Sequence, residues 1–348
     1  MRNRAERRRS EVLLTSPQET FATLIRELQR ARKGIDMEFY IFLGDRIGNT
    51  IATLLCRKAR QGVRVRLIVD GYGSRKMPQK MRQRLLSNGI QLRVAHTFSH
   101  CRNHRKIVVI DQHIAFVGGI NIADRYVVGN NLGMWYDAVL RIEGASVTPL
   151  CQLFEYDLAP HTQASIPTPD TPAYGPTLYW SEMGGGGAMM RLLDDVIDGA
   201  EREITFTTPY FMPPQGVLRR LGQAVERGVR VSVIIPRRCD IWLIDDVVRH
   251  SICEAAGHGI EILMLNEGFI HAKLSLVDRR RVVVGSANLD TRSLGVNSEL
   301  MLSSSNRATC ATAHSFLQQM RGMATPATAH KIKCYLPRFI TRVLKPLM

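Results

Sequence analysis

The 348-residue sequence has no uninterrupted apolar run approaching the roughly 18 residues that a membrane-spanning helix needs. Its basic amino terminus, Met1 to Ser10, is followed by no apolar signal core. These two absences lead us to expect a peripheral protein at the cytoplasmic face of the inner membrane. The seven cysteines (Cys56, Cys101, Cys151, Cys239, Cys253, Cys310 and Cys334) are odd in number and contain no Cys-x-x-Cys pair. That argues against a disulfide framework and fits scattered reduced thiols. Gly184 to Gly187 precedes a helical pattern, but no Lys-Ser/Thr follows, which excludes a P-loop; a flexible loop is the better reading. His96, His100, Cys101 and His104 match no common zinc spacing, so no metal is expected. Negative charge is scarce. Lys plus Arg number 47 against 31 for Asp plus Glu, a net charge of +16, and no acidic residue follows Glu299. A field of that sign attracts a polyanion, either nucleic acid or an anionic bilayer.

What is present is a repeat. The pattern His-x-Lys-x4-Asp-x6-Gly-(Gly/Ser)-x-Asn occurs twice. The first copy is His104, Lys106, Asp111, Gly118, Gly119 and Asn121. The second is His271, Lys273, Asp278, Gly285, Ser286 and Asn288, and every member is displaced by the same offset. Such a repeat implies a duplicated domain. The similarity extends further. Gly62-Val-Arg-Val-Arg-Leu-Ile-Val-Asp resembles Gly228-Val-Arg-Val-Ser-Val-Ile-Ile-Pro, and Met37 to Phe42 resembles Phe206 to Phe211. Each half opens with a helical pattern, residues 18–33 and 188–201, followed by strand, helix and strand. The expected class is α/β with a mixed or parallel sheet in each half. Pro160, Pro167, Pro169, Pro172 and Pro176 mark an extended linker. The expected division is therefore residues 1–160, a linker 161–178, and residues 179–348, each half with its own core.

Each motif reads as strand, turn, strand. Side chains at i and i+2 share a face of a strand, so His104 points with Lys106 and His271 with Lys273. An imidazole beside a fixed ammonium suits a phosphoryl centre. Lysine offers a compact charge to non-bridging oxygens, and histidine serves as nucleophile or general acid. Asn121 and Asn288 offer amide donors to the same oxygens. One motif is half a site; two related by a pseudo-twofold axis supply a nucleophile and an acid on opposite sides of phosphorus. This logic calls for no metal or other cofactor. Asp111 and Asp278 sit at strand ends, where a turn-stabilising role competes with a catalytic one. Tyr40, Tyr210 and Phe211 follow repeated strands and fit the cleft mouth or the core equally.

On these residues the chain resembles the phospholipase D superfamily and, within it, bacterial cardiolipin synthases. The supporting phrases are His104-Arg-Lys-Ile-Val-Val-Ile-Asp, Phe116 to Tyr126, Thr208-Pro-Tyr-Phe211, Gly285 to Ser293 and Asn297-Ser-Glu299. The resemblance implies two similar domains with the active site between them. It also implies a supporting carboxylate for each histidine: Asp137 for the first, Glu299 for the second. It further implies phosphatidyl transfer from phosphatidylglycerol through a phosphatidyl-histidine, with His104 as nucleophile and His271 as acid and base. The alternatives are capture of the same intermediate by water, a nuclease of the same superfamily, or a silent membrane-binding protein. The carboxyl-terminal run from Ile332 to Leu347 places apolar residues at helical spacing opposite Lys331, Arg338, Arg342 and Lys345. Pro337 breaks a helix over the whole run and leaves a shorter one that begins there, lying either on anionic lipid or on the protein body.

Overall fold

A computed structural model describes residues 10–95, 101–159, 175–182, 184–185, 187–328, 332–337 and 340–341. The first half runs β1 (Glu11–Leu14), α1 (Pro17–Arg30), β2 (Gly34–Phe39), α2 (Arg46–Arg60), β3 (Arg64–Asp70), α3 (Gln79–Ser87), β4 (Gln91–Ala95), β5 (Ile107–Ile110), β6 (Ile114–Gly118), α4 (Arg125–Val128), β7 (Trp135–Tyr136), β8 (Val139–Glu143) and α5 (Thr148–Leu158). The second runs β9 (Thr177–Ser181), α6 (Gly187–Asp198), β10 (Glu203–Thr207), α7 (Gln215–Glu226), β11 (Arg230–Pro236), α8 (Trp242–Gly257), β12 (Glu261–Leu265), β13 (Phe269–Ile270), β14 (Lys273–Val277), β15 (Arg281–Gly285), α9 (Thr291–Gly295), β16 (Glu299–Ser304), α10 (Arg307–Gly322) and β17 (Ala324–Pro326).

The two sheets have matching topology. The first is ordered β1-β8-β6-β5-β2-β3-β4 and the second β17-β12-β11-β10-β14-β15-β16-β9. In each, three strands joined through helices are parallel, and the motif hairpin adds antiparallel strands beside them. Crossover helices force parallel pairing and short turns force antiparallel pairing, so both sheets are mixed. The strand β9 already starts at Thr177, inside the stretch read as linker. Residues 160–174, which carry most of that reading, lie outside the described residues.

Each half has an apolar cluster on its outer helices. A third cluster is shared. Val109, Val117 and Leu140 from the first sheet meet Leu274, Val284 and Leu302 from the second, with α5 and α10 closing the layer. Separately cored halves are therefore only part of the fold. Each sheet buries its inner face against the other, because a two-faced apolar sheet must cover both faces.

Asp111 and Asp278 are not part of the catalytic cluster, which corrects their inclusion among the catalytic residues. Asp111, Gln112, Asp278 and Arg279 have φ of 54, 55, 48 and 57°. They are the first two residues of the three-residue loops of the motif hairpins, 111–113 and 278–280, which close through His113 N–H to the Ile110 carbonyl and Arg280 N–H to the Val277 carbonyl. The Asp111 carboxylate accepts from the backbone N–H groups of Arg32, Lys33 and Gly34, at 2.6–3.1 Å. Asp278 does the same for Glu201, Arg202 and Glu203, at 2.8–2.9 Å. These bonds stop α1 and α6 a few residues short of the periodicity-based ends. They also hold both carboxyls below their usual range against burial, which alone would raise them. Asp278→Ala should lower unfolding free energy by about 1–3 kcal/mol in urea titration. The folded variant should keep wild-type turnover; a collapse of turnover in folded protein would restore a catalytic role.

The carboxyl-terminal residues 332–337 are not helical. They lie along α8, where Asp246 accepts from the N–H groups of Tyr335 and Leu336 at 2.7 and 2.9 Å. A docked strap thus precedes Pro337, and beyond it the Ile340 and Thr341 N–H groups donate to the Pro337 carbonyl at 3.0 and 3.3 Å. Pro337, with no N–H to donate, favours a break there. Residues 342–348 lie outside the described residues.

Candidate active site

The motif strands β5 and β14 begin at the carboxyl-terminal edge of the neighbouring β2 and β10, to which they are antiparallel. Open α/β sheets present ligand-binding residues at this edge. Two isolated pairings then draw the halves together. The strand β7 pairs in parallel with β13, Phe269 opposite Trp135 and Ile270 opposite Tyr136. Asn103 bridges Ser298. The register leaves one residue past each pairing facing the other: Asp137 beside His271, and Glu299 beside His104.

The histidine–carboxylate pairs are consequently crossed between halves. His104 Nδ1 lies 3.0 Å from both Glu299 carboxylate oxygens. His271 Nδ1 lies 2.6 Å from Asp137 Oδ2. The resemblance assigned Asp137 to the first histidine and Glu299 to the second; the opposite pairing is found. Chain order favoured the nearer partner, but the bridges between halves set the register. Each carboxylate engages Nδ1, which leaves Nε2 for chemistry.

Small residues make room for these carboxylates. A Cβ on Gly119 would sit 2.2 Å from Asp137 Oδ1. The Ser286 hydroxyl donates to Glu299 at 2.5 Å. Lys273 Nζ stands 3.0 Å from His271 Nε2 and donates to the His271 carbonyl at 2.6 Å. Lys106 donates to the His104 carbonyl and lies 5.6 Å from the Tyr40 ring centre. Asn121 accepts from Ile41 N–H at 2.9 Å and donates to the Tyr126 hydroxyl at 2.7 Å. Asn288 donates to Asp290 at 3.0 Å, and its Oδ1 is buried without a partner among the described residues. Each amide therefore has one further N–H for a ligand oxygen.

Burial dominates the electrostatics. It lowers His104 to about 4, opposed by Glu299 and reinforced by Lys106. It also lowers His271 well below its usual value, with Lys273 and Lys106 adding to the effect. Both imidazoles are neutral at pH 7 without a ligand. Lys273 falls to about 8 by desolvation, opposed by Asp137 and Glu299. The carboxylates differ. Burial raises Asp137 to about 6 despite Lys273. Burial would raise Glu299 too, but His104, Lys106 and Ser286 hold it low.

His104, His271, Lys273, Asn121 and Asn288 line a cavity of about 530 Å³. Tyr40 and Tyr210 line its mouth, whereas Phe211 is fully buried in the core. Sequence reasoning missed its arginines: Arg75, Arg102, Arg125 and Arg292. Two of them had a signal, since Arg125 and Arg292 occupy the same place after their motif asparagines. It also missed the bracket behind His104. Asp70 accepts from Asn103 N–H at 3.0 Å, and Arg105, 1% exposed, donates to Asp157 and to the Ser181 carbonyl. A further charged residue between His104 and Lys106, just ahead of an apolar strand, was the available sign. Another cavity, about 560 Å³, opens at the opposite end of the second sheet, where Arg230 and Arg279 pair with Glu203 and Arg321 pairs with Glu261. It contains none of the motif histidines, lysines or asparagines. Among the described residues no group of three or more His, Cys, Asp or Glu could hold a metal ion. His96 and His100 lie outside them.

Comparison with known proteins agrees with this geometry. Residues 24–156 and 193–321 match the family model described as "Cardiolipin synthase, PLD-like domain". The cardiolipin synthase of Geobacillus kaustophilus (strain HTA426) is 34% identical over 309 residues, 83% of this chain and 61% of that protein. Cardiolipin synthase A of Pseudomonas putida is 32% identical over 308 residues, 83% of this chain and 63% of that protein. The chain thus spans about three fifths of the length of the curated relatives it matches. Among solved structures, the phosphatidylserine synthase of Haemophilus influenzae Rd KW20 superposes with a TM-score of 0.77 at 14% identity, covering 97% of this chain and 95% of that one. The polyphosphate kinase of Porphyromonas gingivalis gives 0.67 at 16% identity, covering 96% of this chain and 52% of that one. These two likenesses concern the fold alone. With twin motifs, mirrored mixed sheets and the matching family model, the chain belongs to the phospholipase D-like family of cardiolipin synthases.

Proposed function

We propose that the protein is a phosphatidyltransferase that makes cardiolipin from phosphatidylglycerol. The observation that carries this reading is the pair of crossed dyads, two neutral imidazoles facing one cavity, each with a lysine bonded to its carbonyl. His104 Nε2 attacks phosphorus. A P–N bond forms, the P–O bond to glycerol breaks, and His271 gives its proton to the departing oxygen. The hydroxyl of a second phosphatidylglycerol then returns a proton to His271 and attacks phosphorus, releasing His104. Lys106, Lys273, Asn121 and Asn288 hold the non-bridging oxygens as charge develops.

The two histidines are equivalent in sequence, and their surroundings favour this division of roles. Burial keeps the His104 imidazole neutral against the ionised Glu299, which holds the proton on Nδ1 and leaves Nε2 free to attack. The raised Asp137 lets the His271 pair carry an extra proton nearer neutrality, as an acid requires. A bound phosphodiester anion pulls that proton further up.

The test is incubation of purified protein with labelled phosphatidylglycerol in mixed micelles, with and without EDTA, and separately with DNA. Cardiolipin and glycerol should form in both lipid arms, and DNA should stay intact. Phosphatidic acid as the main product would favour hydrolysis, and cleaved DNA would favour the nuclease. EDTA loss reversed by one divalent ion would refute metal independence. Membrane contact is proposed through the basic apolar segment 338–348, in line with a peripheral place at the cytoplasmic face. Deleting that segment while retaining the strap should weaken sedimentation with phosphatidylglycerol vesicles. Unchanged sedimentation would move the contact elsewhere.

A further inference from the structure

The mouth of the site carries more positive charge than one phosphodiester uses. Arg75, Arg102, Arg125 and Arg292 line it beside Lys273, against Asp240 and Asp290. Both carboxylates are engaged: Asp240 accepts from the Tyr210 hydroxyl at 2.5 Å, and Asp290 from Asn288 at 3.0 Å. Arg125 is the cation tied to the His271 side. Its guanidinium lies 5.1 Å from the Trp135 ring centre and 5.3 Å from that of Tyr126. The same two rings each lie 5.2 Å from the His271 ring. Arg102 has the corresponding place on the other side. It lies over Tyr72 and Tyr40, and Tyr40 meets the edge of His104 at 5.1 Å. Arg102 is already bonded to the Tyr40 hydroxyl at 2.8 Å. The Arg125 Nε is buried and has no hydrogen-bond partner among the described residues, and the same holds for the Arg102 Nε, so it is the place beside the His271 rings that singles out Arg125.

The chemistry of transfer gives such a cation a use. The acceptor must bring its hydroxyl oxygen to the base, His271. If the acceptor is a phosphoglycerol lipid, its own phosphate sits at the far end of a three-carbon glycerol from that oxygen. A cation one aromatic ring away from His271 is suitably placed to receive it. Water and simple alcohols carry no such phosphate. Aromatic stacking also fixes the planar fork, so less freedom is lost when an anion binds. Burial alone would lower the Arg125 pKa, but Tyr126, Asp240 and Tyr210 outweigh it, so the side chain stays charged.

We propose that Arg125 holds the phosphate of the acceptor phospholipid, and thereby favours transfer to that lipid over capture of the intermediate by water. This rests on the transferase reading and on His271 as acid and base. The test is partition of one phosphatidyl-enzyme between two acceptors. Labelled phosphatidylglycerol is supplied with a fixed concentration of ethanol, and cardiolipin, phosphatidylethanol and phosphatidic acid are separated. The ratio among products is independent of how fast the intermediate forms, so a general structural defect leaves it unchanged. Arg125→Ala should shift the ratio away from cardiolipin by about tenfold or more, the scale of one charge-assisted hydrogen bond. Arg125→Lys should recover part of that shift. A ratio unchanged in folded Arg125→Ala, whatever the total rate, would overturn the proposal. If wild type makes phosphatidylethanol but no cardiolipin, the cardiolipin-forming reading itself fails and the proposal with it.

Discussion

His104→Ala and His271→Ala should each lower cardiolipin formation by about three orders of magnitude or more, since water replaces neither a nucleophile nor a general acid. The two variants should differ with a phosphodiester whose leaving group departs without protonation, such as a nitrophenyl ester. His271→Ala should then still release nitrophenol in a burst and trap labelled phosphatidyl on the protein. His104→Ala should do neither. The reverse pattern would exchange the two roles, and near-normal turnover in either variant would end the shared-site reading. Because the dyads are crossed, neither half alone contains a complete one: His104 needs Glu299 and His271 needs Asp137.

Glu299→Gln and Asp137→Asn should each lower turnover by about a hundred- to ten-thousand-fold, the range seen when a histidine loses its orienting carboxylate. Their pH profiles should differ. The His104 imidazole must be neutral to attack, and its pKa near 4 means that only strong acid removes activity. The His271–Asp137 pair must hold a proton to act. Asp137 is raised to about 6, so kcat/KM should fall as pH rises past that value. It should fall again above about 8, where Lys273 loses its charge. The kcat profile should lie at higher pH, because bound phosphodiester favours the protonated forms. Asp137→Asn should remove the step near 6 and move the Lys273 step below 8, because the Asp137 charge opposes the fall of the lysine. A profile with both alkaline steps intact in that variant would exclude Asp137 as the group that titrates.

Much of this site was legible because it is repeated. Two copies of one pattern at one offset required two similar sheets. The period-2 rule put each lysine beside its histidine without any structure. The amphipathic spacing in each half located the helices α1 and α6. Their ends were not legible, because Asp111 and Asp278 terminate those segments from distant turns through bonds to backbone N–H groups. Two arginines lining the site were equally hidden. Arg75 and Arg102 are scattered along a chain rich in arginine, and nothing local distinguishes them from surface charge, whereas Arg125 and Arg292 had a signal only in their equal spacing from the motif asparagines.

The sequence by itself determined the duplicated α/β halves, the paired histidines and lysines, and the class of chemistry they suit. These follow from local geometry, strand alternation and turn spacing, which act over a few residues. Only the tertiary structure decided which carboxylate serves which histidine. That choice depends on β7 meeting β13 and on Asn103 meeting Ser298, contacts between residues more than a hundred positions apart. The shared apolar layer between the sheets fixes those meetings, because neither sheet can leave its inner face in water. Packing between halves, rather than proximity in the chain, therefore assembled the crossed dyads.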